Sequence, residues 1–413
     1  MAPETGADGL ITEASIERAA RAGDGVVRET PIITTRTLSE RAGARIVLKA
    51  ENLQGTGSFK LRGAMAKIAA LGEETARGVV CGSAGNHAQA VAYAALSRGV
   101  PCEVFMPEAA PIAKADAVQS LGATLHLEGR SVDDSVAAAK ARAAEAGMQF
   151  IHPFDDPDVI SGQGGVGLEL LRQVPDLARV IVPVGGGGLI SGIAIAIRSQ
   201  RPEVEIIGVQ VEACSPFLAS LQAGQPVAVD SARTIADGIA VKRPGDITLR
   251  LIDRWVNDMV VVAEDQVAEA MVFMMERSKL VVEGAGAVGV AALLAGRLPP
   301  AAGDGTTVLV LSGGNVGAGM LAEVARRHET QARRRLVLRV RIPDLPGSLA
   351  ALLGTVSRTG ANLLDVQHIR EGLDLHIQET AVQLVLETRG AEHATAVRAA
   401  IEAGGYQEAT EIL

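Results

Sequence analysis

The chain is poor in cysteine, in long apolar runs and in basic excess, and each shortage excludes a class of function. Its three cysteines, Cys81, Cys102 and Cys214, lie far apart with neither disulfide nor metal-ligand spacing. No disulfide framework and no metal are expected, and the default setting is a reducing cytoplasm with all three thiols buried as apolar residues. Apolar runs such as Val180 to Val184 and Val308 to Leu311 are soon interrupted by Gly, Pro or polar side chains, so they read as buried strands and not as membrane spans. The opening residues, Met1 to Thr5, carry no positive segment leading into an apolar core, and no signal peptide is expected. Lys and Arg number 39 against 48 Asp and Glu, a net charge of −9, which argues against a nucleic-acid surface.

What is present is a globular balance, 48% hydrophobic and 21% charged over 413 residues, long enough for more than one domain. Short apolar strands alternate with Ala-rich helices from about residue 60 to about 151, and the alternation restarts after Gln163 and runs to Val308–Leu311. That order builds parallel sheets covered on both faces, here as two α/β subdomains facing across a cleft, with ligands at the carboxyl ends of strands. A polar, basic run from Arg326 to Arg335 reads as a solvated linker, a nucleic-acid patch being the weaker reading in an acidic chain. Beyond it the pattern β-α-β-β-α, with a last strand near Gly405 to Ile412, is that of a ferredoxin-like unit. The expected division is therefore 1–328 for the catalytic part, with a smaller subdomain of about 54–153 inserted in a larger one, then a linker at 329–335 and a small domain at 336–413.

The stretch from Lys49 to Ala64 organises the rest. It ends an apolar strand, breaks at Gly55 and Gly57, and resumes as a helix from about Phe59. Lys60 then sits in a first turn, where the helix dipole and free backbone N–H groups disfavour its charged form. A neutral amine is a nucleophile that forms a Schiff base with a carbonyl, and the commonest protein-bound carbonyl of this kind is pyridoxal phosphate. An isolated lysine here would be read as an ordinary exposed helix residue.

Three further blocks follow strands, the first two at strand-to-helix turns. Gly185-Gly186-Gly187-Gly188-Leu189 follows the strand ending at Val184; a glycine run there is either a tight turn or an anion cradle whose backbone amides point at a phosphate. Ser83-Ala84-Gly85-Asn86-His87 reads as helix-capping chemistry or as an anion-holding loop. Ser312-Gly313-Gly314-Asn315 follows the strand Val308 to Leu311.

Ser58-Phe59-Lys60-Leu61-Arg62-Gly63-Ala64, with these three blocks, resembles the pyridoxal-phosphate enzymes of the tryptophan-synthase-β type, fold type II, and within them the threonine/serine dehydratase branch. The resemblance implies that Lys60 carries the cofactor and moves the substrate α-proton, and that Phe59 packs on one face of the cofactor ring. It implies that Gly185, Gly186, Gly187, Gly188 and Leu189 hold the phosphate, that Asn86 bonds the ring hydroxyl and that Ser312 faces the ring nitrogen. Ser83, Ala84, Gly85, Asn86 and His87 would hold the substrate carboxylate, with Ser83 counted as catalytic beside Lys60. Gly238, in Thr234 to Gly245, would lie near the ring, and Glu283, in Glu283 to Gly289, at its edge; a loop and a glycine-rich packing face explain those two blocks equally well. The segment Arg341 to Leu349, with Pro346-Gly347, resembles the opening turn of ACT domains, which bind amino acids at domain interfaces. The implied activity is threonine ammonia-lyase: L-threonine to 2-oxobutanoate and ammonia, and L-serine to pyruvate. Control by an amino-acid effector such as isoleucine or valine, in a homodimer or homotetramer, would follow, with no membrane or nucleic-acid partner.

Competing readings are a serine dehydratase or racemase, a nicotinamide-dependent dehydrogenase and a non-enzymatic amino-acid sensor. Racemases of this fold carry a second serine where this chain has Ala84, so reprotonation from the second face is disfavoured. The family's metal-site acids find only Glu212 as a counterpart. Gly-x-Gly-x-x-Gly occurs at Gly162/Gly164/Gly167 and Gly284/Gly286/Gly289, but the first follows a polar run and the second has no clear strand-end acid about 20 residues on. A sensor on a dead scaffold would need a broken site, and Lys60, Asn86, the glycine loop and Ser312 are intact.

Overall fold

In the computed structural model, which describes residues 11–230, 233–300, 303–370, 375–406 and 410–411, the chain divides into two compact units, one ending at Val316 and one starting at Gly317. The first unit runs α1 (Glu13–Arg21), β1 (Ile32–Thr34), α2 (Arg36–Ala42), β2 (Ile46–Lys49), α3 (Lys60–Leu71), β3 (Val79–Gly82), α4 (Asn86–Arg98), β4 (Cys102–Met106), α5 (Ile112–Gln119), β5 (Thr124–Leu127), α6 (Val132–Ala146) and β6 (Gln149–Phe150). It continues with α7 (Pro157–Gln173), β7 (Leu177–Pro183), α8 (Gly188–Arg198), β8 (Glu205–Val211), α9 (Pro216–Ala223), α10 (Asp246–Trp255), β9 (Asp258–Val262), α11 (Glu264–Phe273), α12 (Gly284–Leu294) and β10 (Thr306–Val310).

These strands make two sheets. The larger has the order β1-β2-β10-β7-β8-β9, antiparallel only at β1–β2, and the smaller is β5-β4-β3-β6, parallel throughout. The smaller sheet is an insertion between β2 and β7, which is the two-subdomain architecture the alternation implies. Each sheet has its own core. Val180, Val182, Ile190, Ile193 and Phe217 are among the residues of the larger, and Cys81, Val91, Val104 and Met106 of the smaller.

Helix α7 lies at the junction of the two subdomains, and its glycines explain why. A Cβ at Gly162 would stand 2.6 Å from the Arg62 carbonyl, one at Gly164 2.8 Å from Ile16, and one at Gly167 2.8 Å from Ala196. The first Gly-x-Gly-x-x-Gly run is thus a set of close helix–helix contacts inside a helix, not a nucleotide-binding turn. In the second run Gly284 and Gly286 do the same work, against the Ile235 carbonyl at 2.4 Å and the Gly313 carbonyl at 2.6 Å.

The second unit contains α13 (Ala318–Gln331), β11 (Arg335–Pro343), α14 (Ser348–Arg358), β12 (Asn362–Ile369), β13 (Glu379–Glu387), α15 (Ala391–Ala403) and β14 (Thr410–Glu411). Its antiparallel sheet has the order β12-β13-β11-β14, the ferredoxin-like arrangement, over a core that includes Leu338, Val340, Leu352, Leu384 and Val397. Of the final strand expected near Gly405 to Ile412, residues 407–409 and 412 lie outside the described residues. The basic run is not irregular chain: α13 extends through Gln331, Arg334 pairs with Glu329 at 2.6 Å, and β11 begins at Arg335. The compact units divide before α13, and the stretch 329–335 takes in the end of α13, a turn and the first residue of β11, a helical pattern that its charges obscure.

Among the described residues no helix is long and apolar enough to cross a membrane, and no group of three His, Cys, Asp or Glu is placed to hold a metal ion. All three cysteines are buried, and burial pushes the Cys102 thiol up to about 12.

Candidate active site

Lys60 is the first residue of α3. The turn before it is fastened to the end of the large sheet. The Phe59 amide donates to the Ser312 carbonyl at 3.1 Å, the Gly314 amide to the Gly57 carbonyl at 2.9 Å, and Ser58 forms a bridge with Gly313. Gly57 holds φ +72°, and a Cβ there would stand 2.2 Å from the Asn315 side chain, so glycine is required twice over at this position. The Lys60 amine donates to the Pro153 carbonyl at 2.8 Å and lies 5.2 Å from the centre of the Phe59 ring. Burial lowers its pKa to about 8, against the opposing pull of the Glu283 carboxylate. The direction matches the expectation, and its leading cause is desolvation.

The asparagine block and the Ser312 block meet beside this lysine. Asn86 donates to Glu283 at 2.7 Å and accepts from the Asn315 side chain at 2.8 Å, while Asn315 also donates to the Thr56 carbonyl at 2.8 Å. The Glu283 amide donates to the Gly313 carbonyl at 3.1 Å. Gly238 lies against the same carboxylate, a Cβ on it being 3.6 Å from Glu283 Oε1. Burial, then the Asp237 carboxylate, pushes Glu283 up to about 7. Lys60, Asn86, Gly238, Glu283 and Ser312, drawn from five separate stretches, are thus one neighbourhood.

Ser83, Ala84 and Gly85 form the turn into α4, where the Gly85 amide donates to Ser83 Oγ at 3.1 Å. The His87 side chain is turned away from that turn. Its Nε2 bonds the Ile151 carbonyl at 2.9 Å, which requires the proton on Nε2, and burial lowers its pKa to about 3, so the ring is neutral. What His87 can offer an anion is its amide in the first turn of α4.

The glycine loop lies on the other side of the segment from Ile151 to Asp156. Phe154 packs against it so closely that a Cβ on Gly186 would stand 2.2 Å from the ring, and one on Gly188 3.0 Å from the Phe154 carbonyl. Gly187 holds φ +92° at the N-cap of α8, and Leu189 sends its side chain into the large core, leaving the amide at the helix end. Among the described residues the amides of Gly186 and Gly187 donate to no protein acceptor. The Gly186 carbonyl is tied down by the Thr248 hydroxyl at 2.7 Å, and Asp155 caps α10 by accepting the amides of Asp246, Ile247 and Thr248 at 3.0 to 3.1 Å.

Sequence reasoning passed over this segment, in which consecutive residues each fix part of the site. Ile151 holds His87, Pro153 holds the Lys60 amine, Phe154 backs the glycine loop, Asp155 caps α10 and Asp156 caps α7. The available signal was an aromatic between His-Pro and Asp-Asp-Pro at a strand-to-helix connection, in a chain with only six Phe.

The family model described as "Pyridoxal-phosphate dependent enzyme" matches residues 24–327. An L-threonine ammonia-lyase of Thermotoga maritima is 44% identical over 400 residues, 96% of this chain and 99% of that protein. Its counterpart in Geobacter sulfurreducens is 46% identical over 381 residues, 92% of this chain and 94% of that one. The solved structure of maize serine racemase superimposes with a TM-score of 0.73 at 34% identity, covering 78% of this chain and 99% of that chain.

Pyridoxal phosphate needs an amine for its aldehyde and a cradle for its phosphate. Lys60 offers the first at a depressed pKa, and the glycine loop offers the second, with unpaired amides at a helix N-terminus and no room for any Cβ at Gly186. The residues fit the group. A match that runs from residue 24 to residue 327, with this amine and this cradle inside it, makes the chain a member of the pyridoxal-phosphate dependent enzyme family.

Proposed function

We propose that the chain is a threonine ammonia-lyase, converting L-threonine to 2-oxobutanoate and ammonia, and L-serine to pyruvate by the same route. The observation that carries the reading is the Lys60 amine. It is lowered to about 8 and held on the Pro153 carbonyl beside an anion cradle, in a chain aligned over 96% of its length with a relative named for this activity. Bound pyridoxal phosphate supplies the electron sink that makes the α-proton of an amino acid removable.

The chain's own residues do the rest. Lys60 takes the α-proton; near its lowered pKa a large fraction of the amine is free to do so. The turn Ser83-Ala84-Gly85-Asn86-His87 holds the substrate carboxylate through its amides and the Ser83 hydroxyl, at the N-terminus of a helix of 13 residues. Gly185, Gly186, Gly187, Gly188 and Leu189 would hold the phosphate, and Phe59 would pack against the ring. Asn86 is fixed by Glu283 and Asn315 in one orientation, in which it would meet the ring hydroxyl. Ser312 would hold the ring nitrogen with a neutral hydroxyl, a partner that would leave the bound group a weaker electron sink, suited to elimination. Ala84 offers no proton donor for the second face of the substrate, which favours elimination over racemisation.

The ferredoxin-like unit is read as an ACT module. Its sheet order and its Pro346-Gly347 turn support that reading, with isoleucine or valine as the class of effector, a homodimer or homotetramer as the assembly and the cytoplasm as the location. The test of the activity is 2-oxobutanoate release from L-threonine by the holoenzyme beside Lys60→Ala. Release by the parent chain and none by the variant is expected; release that survives in Lys60→Ala overturns the assignment.

A further inference from the structure

Beneath the Lys60 turn lies a cluster of four formal charges taken almost entirely out of water: Lys49 at the end of β2, Glu51 in the turn after it, Arg62 in α3 and Glu169 in α7. Arg62 is 5% exposed and Glu51 and Lys49 are 0% exposed. The Arg62 guanidinium forks onto Glu51, Nε and Nη2 each at 2.8 Å, and onto Glu169, Nη1 at 2.6 Å and Nη2 at 2.9 Å; Nη2 also donates to the Arg28 carbonyl at 3.2 Å. Lys49 donates to Glu169 at 2.5 Å, to Gln173 at 2.8 Å and to the Thr30 carbonyl at 2.7 Å, and the Thr30 hydroxyl completes Glu51. The four charges sum to zero. An apolar filling of the same volume is often as stable as a buried ionic cluster, so its retention here calls for another reason.

We propose that Arg62 is a positioning residue for Lys60: the forked pairs to Glu51 and Glu169 lock the first turn of α3 against rotation and slippage, and so fix where the Lys60 amine points. The inference rests on the role given to Lys60 above.

Three observations converge on it. Helix α3 starts without conventional anchors, since its N-cap Phe59 makes no side-chain cap bond and its first turn holds no acidic residue. Residues two apart on a helix point roughly 200° apart, so Arg62 reaches the cluster while Lys60 faces the site. The two carboxylates that Arg62 holds belong to the elements that frame Lys60. Glu51 lies in the stretch leading into its turn, where the Asn52 amide donates to the Leu311 carbonyl at 3.0 Å, and Glu169 lies on α7, which begins just after the Pro153 carbonyl that receives the amine.

The lever is long enough to matter. With the amine roughly 8 Å from the helix axis, a turn of about 10° moves it by roughly 1.4 Å. Misplacement of about 1 Å at a reacting group lowers rates by on the order of 100-fold.

The test compares two charge-balanced holoenzyme variants with a control. Arg62→Lys keeps the charge but cannot fork onto both carboxylates. Arg62→Gln with Glu51→Gln removes one charge of each sign and leaves Lys49 paired with Glu169. The control, Val104→Ala, trims the core of the small subdomain away from the cluster and lowers the melting temperature without touching it. Besides kcat and KM for L-threonine, the readout is the rate at which apoprotein develops the visible absorption band of the lysine-bound cofactor after pyridoxal phosphate is added. In both cluster variants kcat is expected to fall about 10- to 100-fold with KM within about threefold, and the band to form at least about tenfold more slowly, while the control retains both. Parent-like kcat and band formation in a folded cluster variant overturns the proposal, as does an equal loss in Val104→Ala. Lys60→Ala in parallel separates the two readings: activity that survives there refutes the role of Lys60, whatever the cluster variants do.

Discussion

Replacing Glu283 by glutamine should convert a pH-dependent element of the catalytic unit into a pH-independent one. The carboxyl is 6% exposed and pushed from 4.5 up to about 7 by burial and by Asp237. Between those two values the folded chain holds a proton that the unfolded chain has released, so stability falls as pH rises through that window. At about 1.4 kcal/mol per pKa unit, the displacement corresponds to about 3 kcal/mol of stability present at pH 4.5 and lost above pH 7. The carboxylate accepts from the Asn86 side chain and from the Asn315 amide, and a glutamine has one oxygen with which to accept, so the variant loses about 1 kcal/mol of hydrogen bonding at every pH. Glu283→Gln is therefore expected to be about 1 kcal/mol less stable than the parent near pH 4.5 and about 2 kcal/mol more stable near pH 8. Urea unfolding of the cofactor-free protein, stepped in pH and followed by fluorescence, measures this directly. The chain's single tryptophan, Trp255, ends α10 and packs on the large core, so the signal reports the catalytic unit. Difference curves that stay flat from pH 4.5 to pH 8 would refute the placement of this carboxyl among buried, like-charged surroundings.

Other outcomes follow from the same geometry. Gly186→Ala must displace the Phe154 ring, 2.2 Å from the new Cβ, and is expected to lose about 1–3 kcal/mol of stability and to weaken pyridoxal-phosphate binding at least about tenfold by equilibrium titration; unchanged binding would remove the loop from phosphate recognition. Ser312→Asp, at a buried position beside the Lys60 turn, should cut threonine elimination by an order of magnitude or more in protein shown to carry cofactor, and an unchanged rate would end the proposed role of Ser312. A chain ending at Val316 should lose any response to isoleucine or valine, measured as threonine turnover with and without effector; a response that persists would locate the effector site in the first unit.

The sequence shows the candidate site wherever the chemistry is written locally. A lysine between two glycine breaks and a helix, four glycines between strand and helix, and Asn86 and Ser312 at strand ends all announce themselves by turn residues at fixed offsets. The two subdomains and the ferredoxin-like unit are equally legible, because strand and helix periods differ. What stayed hidden is carried by tertiary approach. Phe154 is one aromatic in a connection until the fold brings Gly186 onto its ring, and His87 looks like a ligand in its turn until Ile151 claims its proton. The charges at Lys49, Glu51, Arg62 and Glu169 resemble solvated side chains, which such residues almost always are unless paired. The clue was their setting: Arg62 lies inside the Leu61 to Ala66 stretch of small and apolar residues, all of it buried.

The pairing of β2 with β10 bears on how the protein is made. Strand β2 ends at Lys49 and its parallel partner begins at Thr306. About 260 residues must therefore leave the ribosome between the two, and at about 5–20 residues per second this takes roughly 10–50 s. Once β6 is out, at Phe150, the inserted sheet of β3 to β6 has all its strands and can fold, while β2 still waits without its parallel neighbour, held only by its antiparallel partner β1. The Ser312 carbonyl that fastens the Lys60 turn arrives in the same last piece of the first unit. A nascent chain stalled before β10 should thus display a folded small subdomain and an exposed β2 edge, a state open to chaperones and unable to retain cofactor, and the final strand completes the sheet and the active site in one event.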